Sequence, residues 1–386
     1  MLLPTSPSQA PAGPAAAPPP IARLLQRAGV QVNGPAPWDL QLHDAATWRR
    51  MMSQGTLGFG ESYMDGQWDC ERLDELVCRM LRANADQVVT ARGLPHWLTQ
   101  VLRHALVTLQ SVSRAFSVAE RHYDLGNDLF SAMLDSRMVY SCAYWPRAVD
   151  LEQAQEHKLE LICRNLELRP GERLLDVGCG WGGLAEHAAR HFGCEVIGAT
   201  VSREQAALAR ERCAGLPVTV ELADWRSLQG RWDKVVSVGM FEHVGPKNYA
   251  DYFRRMHDML ADEGLFLLHT IGSDRTERAT NAWTERYIFP NGKLPSAVEI
   301  TRTVEEHFLI EDWHNFGPDY DRTLVAWWNR FERAWPQLRV RYGDRFFRMW
   351  KFYLLSSAGF FRSHQGQLWQ IVLAPRERRR EYRSVR

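Results

Sequence analysis

Two short stretches carry side chains whose types and spacing could do chemistry. VSVGMFEHVGPKNY (residues 236–249) reads as a buried apolar strand that delivers Glu242 and His243 to its end, just before a Gly-Pro break. An acid at the mouth of a core strand can orient a ligand or move a proton, and His243 beside it can cap the strand or orient the carboxylate. LLDVGCGWGG (residues 174–183) joins a strand to a helix through Gly178, Gly180 and Gly182. These leave the backbone bare, so a ligand can approach amides near a helix N-terminus. Asp176 precedes the first of these glycines. Cys142 invites a nucleophile assignment, but no His–Asp partnership is evident near it, which favours a backbone role. His187 and His191 stand four apart on an expected helix, yet without HExxH or suitably spaced carboxylates no metal is expected.

Positioning such groups takes a sheet. From Glu172 onward the chain alternates between strand-like segments (RLLDVG, EVIGAT, VTVELAD, DKVVSVG, LFLLHTIG) and helical patterns. That alternation predicts an α/β domain with a parallel sheet covered by helices on both faces. After Gly272 come a polar insertion, HFLIEDWHNF, two aromatic-rich helical stretches and a final strand, LWQIVLAP. Insertions this late usually build a substrate pocket over the sheet's carboxyl edge. Upstream, residues 21–109 mix polar helices with LGFGESYMDGQWDCERLDEL (residues 57–76), a Gly- and aromatic-rich turn region leading into a helix. LPHWLTQVLRHALVTLQSV (residues 94–112) places apolar residues at helical spacing, as a packed amphipathic helix or a lipid-facing one would.

Composition narrows the class. The chain has 386 residues, 45% of them hydrophobic, enough for a full core plus an appendage. A formal net charge of +1 gives no global field pointing to nucleic acid. The first twenty residues are Pro- and Ala-rich with no charged side chain, so they read as a flexible extension and not as a signal peptide. The end, from residue 376, is Arg-rich. The seven Cys are scattered without a CxxC pair, as in a reduced cytoplasmic protein. No stretch approaches the roughly 20 apolar residues of a membrane span.

The pattern DxGxGxG at Asp176–Gly182 resembles the S-adenosylmethionine motif of class I methyltransferases. In that family the loop holds the methionine and ribose part, and the acid lies near the cofactor's ammonium. The second strand ends in GATVS without the usual ribose-binding acid, so Gln205 is considered in its place.

Longer motifs carry a more specific resemblance. ERHYDLGNDLF (residues 120–130), VYSCAYW (139–145), SVGMFEHVG (237–245), LLHTIG (267–272), YIFPNGKLPS (287–296) and DWHNFGPDYDRTL (312–324) all look like the cyclopropane-fatty-acyl-phospholipid synthase family. LGFGESYMDG resembles the N-terminal domain of its long bacterial form, so the likeness runs from about residue 57 to residue 374. It implies a class I Rossmann-like catalytic domain over residues 113–375, with helical substrate-pocket insertions. It also implies a smaller, mainly helical lipid-binding and dimerisation domain over residues 21–112, flanked by the extension (1–20) and the tail (376–386). Carried over residue by residue, a bicarbonate site falls on Cys142 (backbone), Glu242, His269, Ile271 (backbone) and Tyr320. Cofactor contacts fall on Tyr140, Ser141, Gly178, Gly180, Thr200, Gln205, Trp225 and Arg226, beside Asp176 and Gly182 of the loop motif.

The implied reaction adds a methylene from S-adenosylmethionine across a cis double bond in a phospholipid acyl chain. It passes through a carbocation that bound bicarbonate deprotonates and that aromatic faces stabilise, with Tyr140, Trp145, Tyr287, Phe289 and Phe316 as candidates. The implied setting is a homodimer, peripheral on the cytoplasmic face of the inner membrane. Three alternatives are weighed: an enzyme that leaves a methyl branch, a small-molecule N- or O-methyltransferase, and a silent lipid-binding scaffold. The intact bicarbonate set favours ring closure.

Overall fold

The computed structural model describes residues 16–84, 125–277 and 281–385. Residues 94–112, the start of ERHYDLGNDLF and the 112/113 domain boundary lie outside the described residues. Helix α1 (Pro19–Ala28) begins on proline, where a missing N–H costs nothing, and ends on Gly29 at φ 63°. Strands β1 (Gln41–Leu42) and β2 (Trp68–Asp69) form an antiparallel ribbon around α2 (Ala46–Gln54) and α3 (Thr56–Met64), and α4 (Leu73–Arg82) follows.

Helix α3 corrects the sequence reading, which made LGFGESYM part of a turn region. Its glycines serve contact. A Cβ at Gly60 would fall 2.3 Å from the indole of Trp283, so only a bare backbone lets α3 approach that ring.

The chain continues through α5 (Asn127–Met133) and α6 (Leu151–Asn165) to β3 (Arg173–Val177), α7 (Gly183–Phe192), β4 (Glu195–Thr200), α8 (Arg203–Arg212), β5 (Val218–Leu222), β6 (Trp232–Val238), α9 (Tyr249–Met259) and β7 (Leu260–Ser273). Then come α10 (Ala282–Tyr287), α11 (Ala297–Val304), β8 (Phe308–Asn315), α12 (Pro318–Tyr342), α13 (Asp344–Arg362) and β9 (Gly366–Pro375).

Seven strands form one sheet in the order β5-β4-β3-β6-β7-β9-β8. β5 through β7 are parallel, as the alternation predicts, but β9 runs antiparallel to both β7 and β8. The sheet is therefore mixed. The cause is the helical hairpin: α12 leads away from the end of β8 and α13 returns to the same edge. β9 must leave that edge in the opposite direction, with Asn315 paired to Trp369.

The N-terminal helices share a core with that hairpin. Trp48, Tyr63, Trp68 and Leu76 belong to the same buried cluster as Trp327, Phe331, Trp350 and Leu354. Each fully buried side chain such as Phe331 or Leu354 stabilises the fold by about 1.5–3 kcal/mol. Arg362 on α13 reaches Asp74 at 2.6 Å and Asp321 at 2.8 Å, tying α4 to the start of α12. The Arg-rich end lies against the body. Arg378 is buried and pairs with Glu167 at 3.1 Å, and Glu263 accepts the amides of Arg379 and Arg380. Among the described residues no helix is long and apolar enough to cross a membrane.

Candidate active site

A cavity opens at the carboxyl edge of β3, β4 and β6. The loop after β3 makes its floor, with Gly178 at φ 91° and Gly180 at φ 56°, a region that L side chains rarely enter. A Cβ at Gly180 would meet nothing within 4 Å, so the space above it is open. Tyr140, Ser141, Asp176, Gly178, Gly180, Thr200, Gln205, Trp225 and Arg226 all line the cavity. Gly182 is not among the lining residues. It is the cap of α7, and a Cβ there would lie 3.1 Å from Ala209 and 3.3 Å from Cys213 Sγ, so its bareness serves the packing of α7 on α8.

Asp176 is buried at the end of β3, and its Oδ2 has no hydrogen-bond partner among the described residues. Burial pushes its carboxyl up to about 7, while the charge of Lys158 pulls it back down. A ligand ammonium beside Oδ2 would satisfy that atom. Thr200 Oγ1 lies 2.8 Å from Gln205 Oε1 and donates to it, fixing the side chain that stands where an acid was missed. Arg226 folds back on Asp224 at 2.9 Å, and its guanidinium sits 4.6 Å over the Trp225 ring, which braces that indole. An open glycine floor, an unmatched buried acid and a braced aromatic fit the amino-acid and adenosine parts of S-adenosylmethionine.

The remaining predicted residues stand behind this cavity and do not line it. Their neighbours Ser141, Gly239, Met240 and His243 do. Glu242 was expected at a strand end. It lies instead in a single 3-10 turn, residues Phe241–His243, because Gly239 at φ 67° ends β6. The Ile271 amide donates to Glu242 Oε1 at 2.7 Å, and Glu242 Oε2 has no hydrogen-bond partner among the described residues. Burial pushes Glu242 up to about 7 against the pull of that amide. His269 and Ile271 are two residues apart on β7 and share a face. Burial drives the His269 imidazole well below its usual range, with the nearby Lys158 adding to the effect, so it is neutral; its Nε2 has no hydrogen-bond partner among the described residues. Cys142 is buried, its Sγ donates to the Ala143 carbonyl, and burial pushes the thiol well above its usual value. A buried thiol of that kind is a poor source of thiolate, so the side chain is not suited to nucleophilic attack. Tyr320, on the first turn of α12, stacks on Phe361 at 4.5 Å.

The aromatic candidates divide. Tyr140 meets the Tyr353 hydroxyl at 2.7 Å, Phe289 packs edge-on against His243 at 5.6 Å, and Phe316 lies edge-on to His269 at 5.8 Å. Tyr287 instead donates to Glu61 on α3, and the Trp145 indole donates to Thr323. Those two rings pin the scaffold.

Three further residues escaped the sequence reading. Lys158 is buried on α6 and donates to Ser141 Oγ at 3.0 Å; burial pulls its ammonium down to about 8. Gln155, on the same helix face, donates to the Val139 and Ser141 carbonyls, so α6 holds the segment that carries Tyr140, Ser141 and Cys142. The signal was present: Gln155 and Lys158 interrupt the apolar series Leu151, Ala154, Leu159 and Ile162. Gln370 is the one polar side chain in the apolar run LWQIVLAP, and a buried amide there needs partners.

A family model described as mycolic acid cyclopropane synthetase matches residues 110–371. The cyclopropane-fatty-acyl-phospholipid synthase of Escherichia coli K12 is 52% identical over 354 residues, covering 91% of each chain. The cyclopropane synthase MmaA2 of Mycobacterium tuberculosis superposes with a TM-score of 0.64 at 30% identity, over 69% of this chain and 100% of that one. The mycolic acid cyclopropane synthase CmaA1, complexed with SAH and CTAB, superposes with a TM-score of 0.63 at 31% identity, over 67% of this chain and 97% of that one.

Proposed function

The chain belongs to the mycolic acid cyclopropane synthetase family, and from that premise we propose that it is an S-adenosylmethionine-dependent synthase that adds a methylene across the cis double bond of an unsaturated phospholipid acyl chain. The observation that carries the reading is the meeting, at one sheet edge, of a glycine-floored cavity with a buried cluster of acid, histidine and aromatic rings. S-adenosylmethionine supplies an electrophilic methyl group on a sulfonium. An isolated alkene has no acidic proton, so the chain needs no base to activate it. It needs to shield and stabilise a cation. The faces of Tyr140, Phe289 and Phe316 offer about 0.5–2 kcal/mol each toward a cation placed over them.

Ring closure then requires a proton to leave the transferred methyl group. Glu242 Oε2 and His269 Nε2 are buried without hydrogen-bond partners among the described residues, which suits an anion that carries its own O–H: the carboxylate accepts from that hydroxyl and the imidazole donates to a bare oxygen. The backbone at Cys142, with Glu242, His269 and Tyr320, would hold a bicarbonate ion, which supplies a proton acceptor. The Ile271 amide already holds Glu242, so its part is to fix the carboxylate.

Delivery belongs to the same proposal. The protein docks on the cytoplasmic face of the inner membrane as a homodimer, with residues 21–112 contacting lipid and partner subunit and residues 113–375 doing the chemistry. Arg-rich patches add about 1 kcal/mol per charge near an anionic surface.

The test is direct. Purified protein, S-adenosylmethionine and vesicles of cis-unsaturated phosphatidylglycerol should yield lipid that has gained one CH2 per modified chain and resists ozonolysis. Lipid that comes back unchanged, or a methylated small amine in its place, would sink the proposal. Rigorous removal of carbonate from the buffer should slow turnover; full activity would leave the proton to a side chain.

A further inference from the structure

His269 lies directly opposite Gln370 in the antiparallel pairing of β7 with β9, so their side chains leave the sheet on the same face. Gln370 and Asn165 are both 0% exposed. Three hydrogen bonds run in series behind the imidazole. The Tyr382 hydroxyl donates to Asn165 Oδ1 at 3.3 Å, and Asn165 Nδ2 donates to Gln370 Oε1 at 3.2 Å. Gln370 Nε2 then stands 3.2 Å from His269 Nδ1. With the Gln370 amide nitrogen, which offers only donors, on that side, Nδ1 accepts and carries no proton. A neutral imidazole then has its proton on Nε2, the ring atom left without a partner.

We propose that Gln370, backed by Asn165 and Tyr382, is a positioning residue that locks His269 as the Nε2–H tautomer, so that the imidazole meets its ligand as a hydrogen-bond donor and not as a proton acceptor. The use of that donor, holding an anion or a ligand oxygen, rests on the function proposed above. It follows that His269 does not take the proton released on ring closure. That duty falls on Glu242 or on an anion the two residues hold. Turning both amides over would preserve every bond in the series but leave Nε2 a bare acceptor, the wrong group to face an anion. The relay also gives the C-terminal segment a task, since Tyr382 supplies its outermost donor.

The tautomer can be read without any turnover. In full-length protein labelled with 15N at histidine, long-range 1H–15N correlations distinguish the two neutral tautomers, and His269 is identified by the signals lost in His269→Gln. The expected pattern is Nε2–H near neutral pH. An Nδ1–H pattern or an imidazolium overturns the proposal whatever the enzyme does, and the wild-type spectrum needs no altered core. Gln370→Glu puts an acceptor at Nδ1; it should reverse the tautomer and lower kcat by about 100-fold with KM for S-adenosylmethionine unchanged. Gln370→Met, which keeps the volume but removes the donor, should give a mixed tautomer and an intermediate kcat. A reversed tautomer with full turnover on vesicles would remove His269 and Gln370 from the reaction.

Discussion

Glu242 and Asp176 differ from ordinary carboxylates because burial withholds water from both. Each is pushed up to about 7. For Glu242 the charged form is the useful one, so turnover should fall as pH drops through about 7. Glu242→Gln should cost a large part of kcat while cofactor affinity holds, the pattern of a group that acts in the transition state. Its residual rate should lack that pH limb, and a kcat–pH profile of both proteins checks this. The stability effect has the opposite sign from that of a salt-bridged acid. Below the unfolded values, 3.8 for Asp176 and 4.5 for Glu242, neither group matters; as pH rises toward about 7 the folded state holds its protons and stability falls. A cofactor ammonium beside Asp176 offsets that cost, so the rise in Tm on adding S-adenosylmethionine should be greater above pH ~7 than near pH ~5, where the carboxyl keeps its proton. Asp176→Asn should remove the difference; an unchanged difference would take Asp176 out of the site. Gly180→Ala should cost about 1 kcal/mol, because a side chain is strained at its φ of 56°, and should block the cofactor in calorimetric titration. Asp176 and Gly180 were legible because a backbone needing positive φ beside a ligand leaves a spaced glycine pattern. Lys158 and Gln370 were not, since a lone polar residue in an apolar run does not reveal its partner.

At the scale of elements, the parallel strands were legible from their apolar runs, and β9 was legible as a strand but not in direction. Its reversal depends on α12 and α13 forming a hairpin, which local sequence does not state. LGFGESYM misled for a related reason. Glycines usually mark turns, but in α3 Gly60 admits a neighbouring ring, and the neighbour, Trp283, is more than two hundred residues away. Gly60→Ala should therefore push Trp283 out of place, loosen α10, and lower stability by about 1–3 kcal/mol in urea unfolding. A neutral result would mean that α3 and α10 slide apart without cost. Segment 290–291, which lines the cavity, follows α10, so a measurable rise in KM for S-adenosylmethionine should accompany the loss.

For the whole molecule, the described N-terminal helices contribute no lining residue to the cofactor cavity, yet they cover α13 and share its core. Removing residues before Ser113 should leave S-adenosylmethionine binding in place. It should also uncover Phe352 and Leu355, lower Tm, and reduce both vesicle co-sedimentation and turnover. If the shortened chain modified vesicle lipid as fast as the full one, residues 21–112 would have no part in delivery. The central claim is that the cluster behind the cavity removes a proton from the transferred carbon and closes a ring. The most direct measurement uses S-adenosylmethionine carrying a CD3 methyl group, vesicles of cis-unsaturated phospholipid, and mass spectrometry of the product. Ring closure predicts lipid that keeps two of the three deuteriums and no longer contains an alkene. Product that keeps all three would show a methyl branch, and the account of Glu242 and His269 as a ring-closing pair would be contradicted.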